Sequence, residues 1–315
     1  MRDARSGPRA VVRRLRFRHR RRSRRELGTQ LLSWHDRPRG LRRAQAFRLA
    51  QRYARWVSTT RSQQPPGLDT VVGKVTAILH AFGTDDPYLP LAELVRRTGL
   101  HKATVHRLAG ELTAARLLER TSNGYRLSGG LFELGMRASA ERSLTEIAMP
   151  FLQDVYDRTR ETVHLGVLED HEVMYVAKIG GHRQASAPSR VGGRMPLHCT
   201  GIGKALLAHA PMELRHEVLT GALVRRTPRT IVAPGLLEKH LQAIREYSVA
   251  YEYEESAPGI ACVAAPVFDD DRAVIAAISA TGPVHRFRPE QHADAVRAAA
   301  SGVAVTLQRR RDRQG

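Results

Sequence analysis

Two groups of side chains have the types and spacing to do chemistry. The first is Lys102, Ala103, His106 and Arg107, opposite a stripe made by Val105, Leu108 and Leu112. Cationic and hydrogen-bonding groups at the N-terminal end of an outward helix face suit base edges and phosphates in the DNA major groove. Thr104, on the same turn, joins this set. The second group is small and hydroxylic. Ser279 and Thr281 alternate along one strand-like run, and Cys262 shares a face with Ile260 and Ala264 on the run before it. Small side chains leave room and hydroxyls supply donors, as a small-ligand cavity requires. The same residues packed as a satisfied core are the alternative.

Other chemistries fit less well. Cys199 or Cys262 as a nucleophile would need His198 or His164 as base. His198 neighbours Cys199 in sequence, which does not set its ring against that thiol, and spacing suggests no acid partner. No catalytic residue is assigned. His101 and His106 are five apart, whereas one helical face needs three or four. His182, His198 and Cys199 also lack metal-ligand spacing. No metal or cofactor is expected.

The elements that must position the first group read as a helix–turn–helix. Val71, Val72, Val75, Ile78, Leu79 and Phe82 recur at helical spacing and predict a helix over 69–82, ended by Gly83 and Asp85-Asp86-Pro87. Leu91, Leu94 and Val95 mark a short second helix that Gly99 terminates. A third runs from His101 to about Ala115. Two short helices joined by a tight Gly-containing turn are the helix–turn–helix arrangement. Asn123-Gly124 between strand-like runs then predicts a hairpin with positive φ at both turn residues. That hairpin would be a wing, bringing Arg120, Thr121, Ser122, Tyr125 and Arg126 to phosphate or the minor groove. A three-helix unit that binds protein is the bland alternative.

The second group belongs to an α+β region with an antiparallel sheet. A linking helix is predicted over 131–140, then a longer helix striped by Leu144, Ile147, Phe151, Leu152 and Val155. Pro150 should kink that helix or mark a boundary. Strands follow at 162–168 and 172–179, a Gly-rich polar loop at 180–195, and helices at 201–209, 211–219 and 234–247. Strands at 249–255, 259–268 and 273–281 precede a last helix over 289–309.

Charge is unevenly placed. The chain has 315 residues with a formal net charge of +20, and residues 1–64 hold 20 Arg, no Lys and three acids. The rest is near neutral, so the basic balance alone is no footprint for nucleic acid. The Arg-rich extension cannot bury a core and is expected to be disordered alone. Three readings stay open for it: a phosphate-tracking arm, a transit peptide, or upstream sequence translated from a misplaced start. Two cysteines are too few for a disulfide framework. No apolar run reaches ~18 residues, so no membrane span is expected. A cytoplasmic protein is the expectation. Domains are predicted at 65–128 and 143–311, joined by a linker over 129–142.

Taken together, four stretches resemble the IclR-type transcriptional regulators. They are Thr98-Gly99-Leu100-His101-Lys102-Ala103-Thr104-Val105-His106-Arg107-Leu108, residues 195–208 (MPLHCTGIGKALLA), residues 259–267 (GIACVAAPV) and residues 275–283 (IAAISATGP). The resemblance spans about 68–310. It implies an N-terminal winged helix–turn–helix joined by a helix to a GAF-like α/β effector-binding domain, assembled as a dimer or tetramer. It also implies effector contacts from Met195, Gly201, Ile202, Glu252, Cys262, Ser279 and Thr281. Ala103 stands where many members carry a small hydroxyl residue, and 1–64 has no counterpart. The implied function is sequence-specific DNA binding, with repression the expected sign, controlled by a small metabolite. A small-molecule sensor or interaction module without specific DNA binding is the alternative.

Overall fold

The computed structural model describes residues 67–83, 85–137, 139–180 and 187–314. The Arg-rich extension and residues 181–186 of the predicted loop, His182 among them, lie outside these residues.

Three helices open the described chain: α1 (Val71–His80), α2 (Leu91–Thr98) and α3 (Lys102–Ala114). The Thr70 side chain caps α1 by accepting from the Gly73 N–H, which satisfies one of the orphan donors of a first turn. Gly99 ends α2 with a φ of 68°, as its sequence position predicts. Arg97 braces the joint from α2, donating to the Ala81 carbonyl at 2.9 Å and pairing with Glu93 at 2.7 Å and with Asp86. Asp86 in turn accepts from the Gly83 N–H at 2.7 Å. Ile78, Leu94, Val105, Leu108 and Leu112 form the core of this unit. The predicted stripe on α1 is only half right. Val71 and Val72 are exposed, because only the second half of the helix meets α2 and α3.

Strands β1 (Leu118–Thr121) and β2 (Gly124–Leu127) form the expected hairpin, with Thr121 opposite Gly124. Its turn departs from prediction. The central residues are Ser122 and Asn123, neither with positive φ, and the positive value falls on Gly124 at 137°. The cause is outside the hairpin: Leu89 exchanges backbone hydrogen bonds with Tyr125. This brings the Leu89 carbonyl to 2.3 Å from where a Gly124 Cβ would stand. Backbone contact rather than turn type demands glycine here.

The linking helix predicted over 131–140 is shorter and lies earlier, and the longer helix after it begins sooner. Helix α4 (Gly129–Gly135) ends, and α5 (Ser139–Thr159) begins after it. Gly135 ends this helix after about two turns, where glycine's helix propensity is poor. Helix α5 continues through Pro150 without a boundary, because Leu152 and Val155 beyond the proline lie in the same core as Leu144, Ile147 and Ala148 before it.

The rest is one six-stranded antiparallel sheet, ordered β5-β4-β3-β8-β7-β6. Its strands are β3 (Thr162–Glu169), β4 (Glu172–Ile179), β5 (Arg194–Pro196), β6 (Ala250–Tyr253), β7 (Ile260–Phe268) and β8 (Val274–Pro283). Helices α6 (Gly201–His209), α7 (Met212–Thr220) and α8 (Pro234–Tyr247) interrupt it, and α9 (Ala293–Gln314) closes the chain. Period-2 alternation divides each central strand between two cores. Val263, Ala265, Ile278 and Ala280 join α5 and α9 on one face. Ala264 and Ala277 join α6 and α8 on the other. The sheet is therefore covered on both sides, which is why β7 reads as a continuous apolar run. Two details were not foreseen. Strand β5, only three residues long, begins at the end of the span read as loop and pairs with Glu172–Met174. The last helix starts at Ala293, because Pro289–His292 is a separate 3-10 turn.

Candidate functional site

Helix α3 sorts its residues as the spacing requires. Val105, Leu108, Ala109 and Leu112 are buried, while Lys102, Ala103, His106 and Arg107 are exposed and Thr104 is half-buried. The exposed group occupies the first turn and a half. Arg107 is not a bare cation, since Glu111 lies 2.5 Å from it one turn on. On the wing, Arg126 pairs with Glu119 across the two strands at 2.7 Å. Arg120 lies over the Tyr125 ring, 5.9 Å from its centre. Tyr125 itself is a correction. It is buried, held inward by the Leu89 bridge, and offers nothing to a groove. All these ion pairs are exposed, where partners exchange at a cost of about 0–1 kcal/mol. Phosphate can therefore replace either carboxylate.

The second site is a small cavity on the α6 face of the sheet, about 20 Å³, room for about one water, so that an organic ligand must displace part of its lining to enter. Met195, Gly201, Ile202, Glu252, Cys262, Ser279 and Thr281 all line it. Sheet register explains how such distant residues meet. His164, Ser279 and Ala264 stand side by side on β3, β8 and β7, and Thr162, Thr281, Cys262 and Glu252 form the next row across to β6. Every member of these rows is small or polar, so the sheet face is hollow there. The α6 N-terminus faces the hollow. Thr200 caps it by accepting from the Gly203 N–H at 3.0 Å. A Cβ on Gly201 would stand 2.8 Å from the Cys262 sulfur, so glycine is what lets the helix end approach the strand.

Lining residues that the sequence did not flag as effector contacts include His164, Tyr175, Ser189, Thr200 and Ser256. His164 lies at the centre of a polar run. Its Nε2 is 2.7 Å from Ser189 Oγ and its Nδ1 is 3.4 Å from Ser279 Oγ. Tyr175 meets it edge-on, with ring centres 5.2 Å apart. Burial, with a smaller push from Lys178, drives the His164 imidazole down to about 3, so it is neutral and has one donor and one acceptor nitrogen. Lys178 donates to the Ser189 carbonyl at 2.7 Å, so β3 and β4 together hold the segment that passes over the cavity. A lone imidazole in an apolar strand gives no hint in sequence that serines from two other elements will flank it.

The buried acids are equally ordered. Glu252 accepts from the Ser256 N–H at 3.0 Å and from its hydroxyl at 2.9 Å. Burial raises its carboxyl to about 7. Next to it, the fully buried Lys204 of α6 meets Glu255 at 2.5 Å. Neither thiol is an activated nucleophile. Burial, reinforced by Glu252, pushes Cys199 and Cys262 up to about 12. Thr281 donates to Cys262 at 3.2 Å, and His198 turns away to donate to the Val224 carbonyl at 3.0 Å. Among the described residues no cluster of His, Cys, Asp and Glu fits a metal ion, and no helix is long and apolar enough to cross a membrane.

Comparison with known proteins matches both units. Residues 71–122 match the IclR helix-turn-helix domain, and residues 136–305 match the bacterial transcriptional regulator IclR C-terminal domain. The HTH-type transcriptional regulator KdgR of Escherichia coli K12 is 34% identical over 232 residues, covering 73% of this chain and 88% of KdgR. The transcriptional repressor IclR of the same organism is 30% identical, covering 64% and 75%. Among solved structures, an IclR homolog of Microbacterium hydrocarbonoxydans complexed with 4-hydroxybenzoate aligns with a TM-score of 0.71. It is 32% identical, with 74% of this chain and 97% of that one covered.

Proposed function

This chain belongs to the IclR family of transcriptional regulators, and from that membership we propose how its two sites work. As a member it is a DNA-binding regulator with a helix–turn–helix unit and a ligand-binding C-terminal domain, and its relatives are regulators rather than enzymes. The exposed start of α3 reads the operator. Lys102, Thr104, His106 and Arg107 contact bases or phosphates, and Arg120 and Arg126 follow the backbone from the wing. A cytoplasmic homodimer or homotetramer binds pseudo-palindromic half-sites about one helical turn, or a multiple, apart. Exposed apolar side chains on α1 and α4, such as Val72 and Phe132, support self-association. Repression is the expected sign. The working units are 65–128, 129–142 and 143–311.

The effector is a small organic acid held in the cavity. The observation that carries this reading is the convergence of seven residues from five separated stretches on one polar hollow at the α6 N-terminus. A helix N-terminus offers free N–H groups and a favourable dipole to an anion. The 4-hydroxybenzoate found with the Microbacterium relative is of that chemical class. An effector moves the equilibrium between DNA-binding arrangements only by its differential affinity for them. The test is binding to DNA from upstream of its own gene, with and without a panel of monocarboxylates. A change in affinity with at least one acid supports the reading. Binding of acids with no change in DNA affinity contradicts it.

A further inference from the structure

Charge in the cavity is out of balance for an acid. Glu252 is buried on β6, and one of its oxygens is occupied by both donors of Ser256. No other described group donates to this carboxyl. The groups packed around it come from every neighbouring element. From α6 there is Lys204, whose ammonium is held by Glu255 on the turn after β6. From β3 there is His164, neutral through burial. Cys199 and Cys262 are protonated thiols, and burial also raises the Tyr175 hydroxyl. Arg226 donates to the Ser256 backbone carbonyl at 3.3 Å rather than to the acid. The Lys204 charge favours the ionised form of Glu252 and Glu255 opposes it, but the Lys204 ammonium is bonded to Glu255, so no described cation forms an ion pair with Glu252.

A carboxylate entering this largely buried hollow would meet a second carboxylate. Two like charges in one low-dielectric site do not both stay ionised. We propose that an organic anion enters the cavity together with a proton on Glu252, so that effector binding takes up a proton from solution. The inference rests on the effector reading above. No bond to carbon changes: the Glu252 carboxylate gains a solvent proton, one oxygen keeps its two Ser256 bonds, and the other becomes a donor to the ligand. An acceptor-only side chain thereby turns into a donor aimed at an anion. Burial already holds Glu252 near the pH at which this exchange is easy, at about 7.

The experiment uses the full chain. Acetate, glycolate, benzoate and 4-hydroxybenzoate are screened by thermal shift, and the tightest is titrated calorimetrically near pH 6, 7 and 8. Two buffers of different ionisation enthalpy report protons taken up. The expected dissociation constant is flat below about pH 7 and rises about tenfold per pH unit above it. Uptake grows from a small fraction of a proton near pH 6 to nearly one near pH 8. Glu252→Gln binds the same probe with a flat pH profile and no uptake. Wild-type binding without proton uptake overturns the inference, and needs no variant to do so. An unchanged pH slope in E252Q overturns it as well. If none of the four acids binds the wild type, the effector reading itself fails and this inference falls with it, a result distinct from pH-independent binding.

Discussion

Arg107 and Glu111 bind each other one turn apart on the outward face of α3, guanidinium to carboxylate at 2.5 Å. Arg107, proposed above to read DNA, thus carries its own competitor. Because both side chains are exposed, the pair adds little stability, and under the proposed reading it sets what a phosphate or base must displace.

Glu111→Gln should therefore leave the unfolding free energy nearly unchanged, within about 0.5 kcal/mol. DNA affinity should rise, with a salt dependence steeper by up to about one counterion. Arg107→Ala should weaken specific binding by about 1–3 kcal/mol if Arg107 reads a base. Fluorescence anisotropy across a salt series measures both. Unchanged operator affinity in R107A removes Arg107 from the interface.

Gly124→Ala should destabilise the helix–turn–helix unit by about 2–4 kcal/mol. The new methyl would overlap the Leu89 carbonyl at a positive φ. Urea unfolding of wild type and variant gives the difference. A loss under about 1 kcal/mol would mean that the Leu89–Tyr125 bridge yields easily.

Lys204→Met leaves the Glu255 carboxylate buried and unpaired, with one oxygen already lacking a partner. Such a deletion costs about 3–5 kcal/mol, whereas replacing both partners by apolar residues is often neutral. The double variant K204M/E255L should recover most of the loss in thermal melts. A double variant as unstable as K204M would show that the ion pair is needed for more than charge balance.

The sequence spoke clearly where one local pattern decides one element. The stripe of Val105, Leu108 and Leu112 fixes which face of α3 is outward, and Gly99 fixes where α2 stops. Cys262, Ser279 and Thr281 line one hollow because strand alternation, readable in sequence, decides which face each occupies, whereas Met195, Gly201, Ile202 and Glu252 are expected there only from the family resemblance. What failed depends on contacts from afar. The hairpin turn is set by Leu89, some thirty-five residues earlier. The pairing of β5 is set by β4, and three residues give no period to read. His164 acquires its role from Ser189 and Ser279, and Lys204 from Glu255, partners that spacing cannot supply.

His164 also has a consequence for pH. Its folded-state value of about 3 lies below the ordinary value of 6.5, so the unfolded chain binds more protons between those limits. Its contribution is complete above about pH 6.5 and is lost as pH falls toward 3, on the order of a few kcal/mol. Glu252 acts in the opposite sense: its value is raised to about 7 from 4.5, so its contribution is complete below 4.5 and lost as pH rises through 7. Melts over pH 4–8 should show a shallower acid-side loss in His164→Gln. Glu252→Gln should show a shallower alkaline-side loss. Parallel pH profiles for H164Q and wild type would contradict the assignment.

The most direct test of the whole account is a footprint on DNA upstream of the protein's own gene. Full-length protein and a fragment beginning at residue 65 are compared across a salt series. If the winged unit carries recognition, both protect the same bases with similar salt slopes. If only the full-length chain protects DNA, steeply with salt and without sequence preference, then the Arg-rich extension is the binder and the proposed operator-reading face of α3 is wrong.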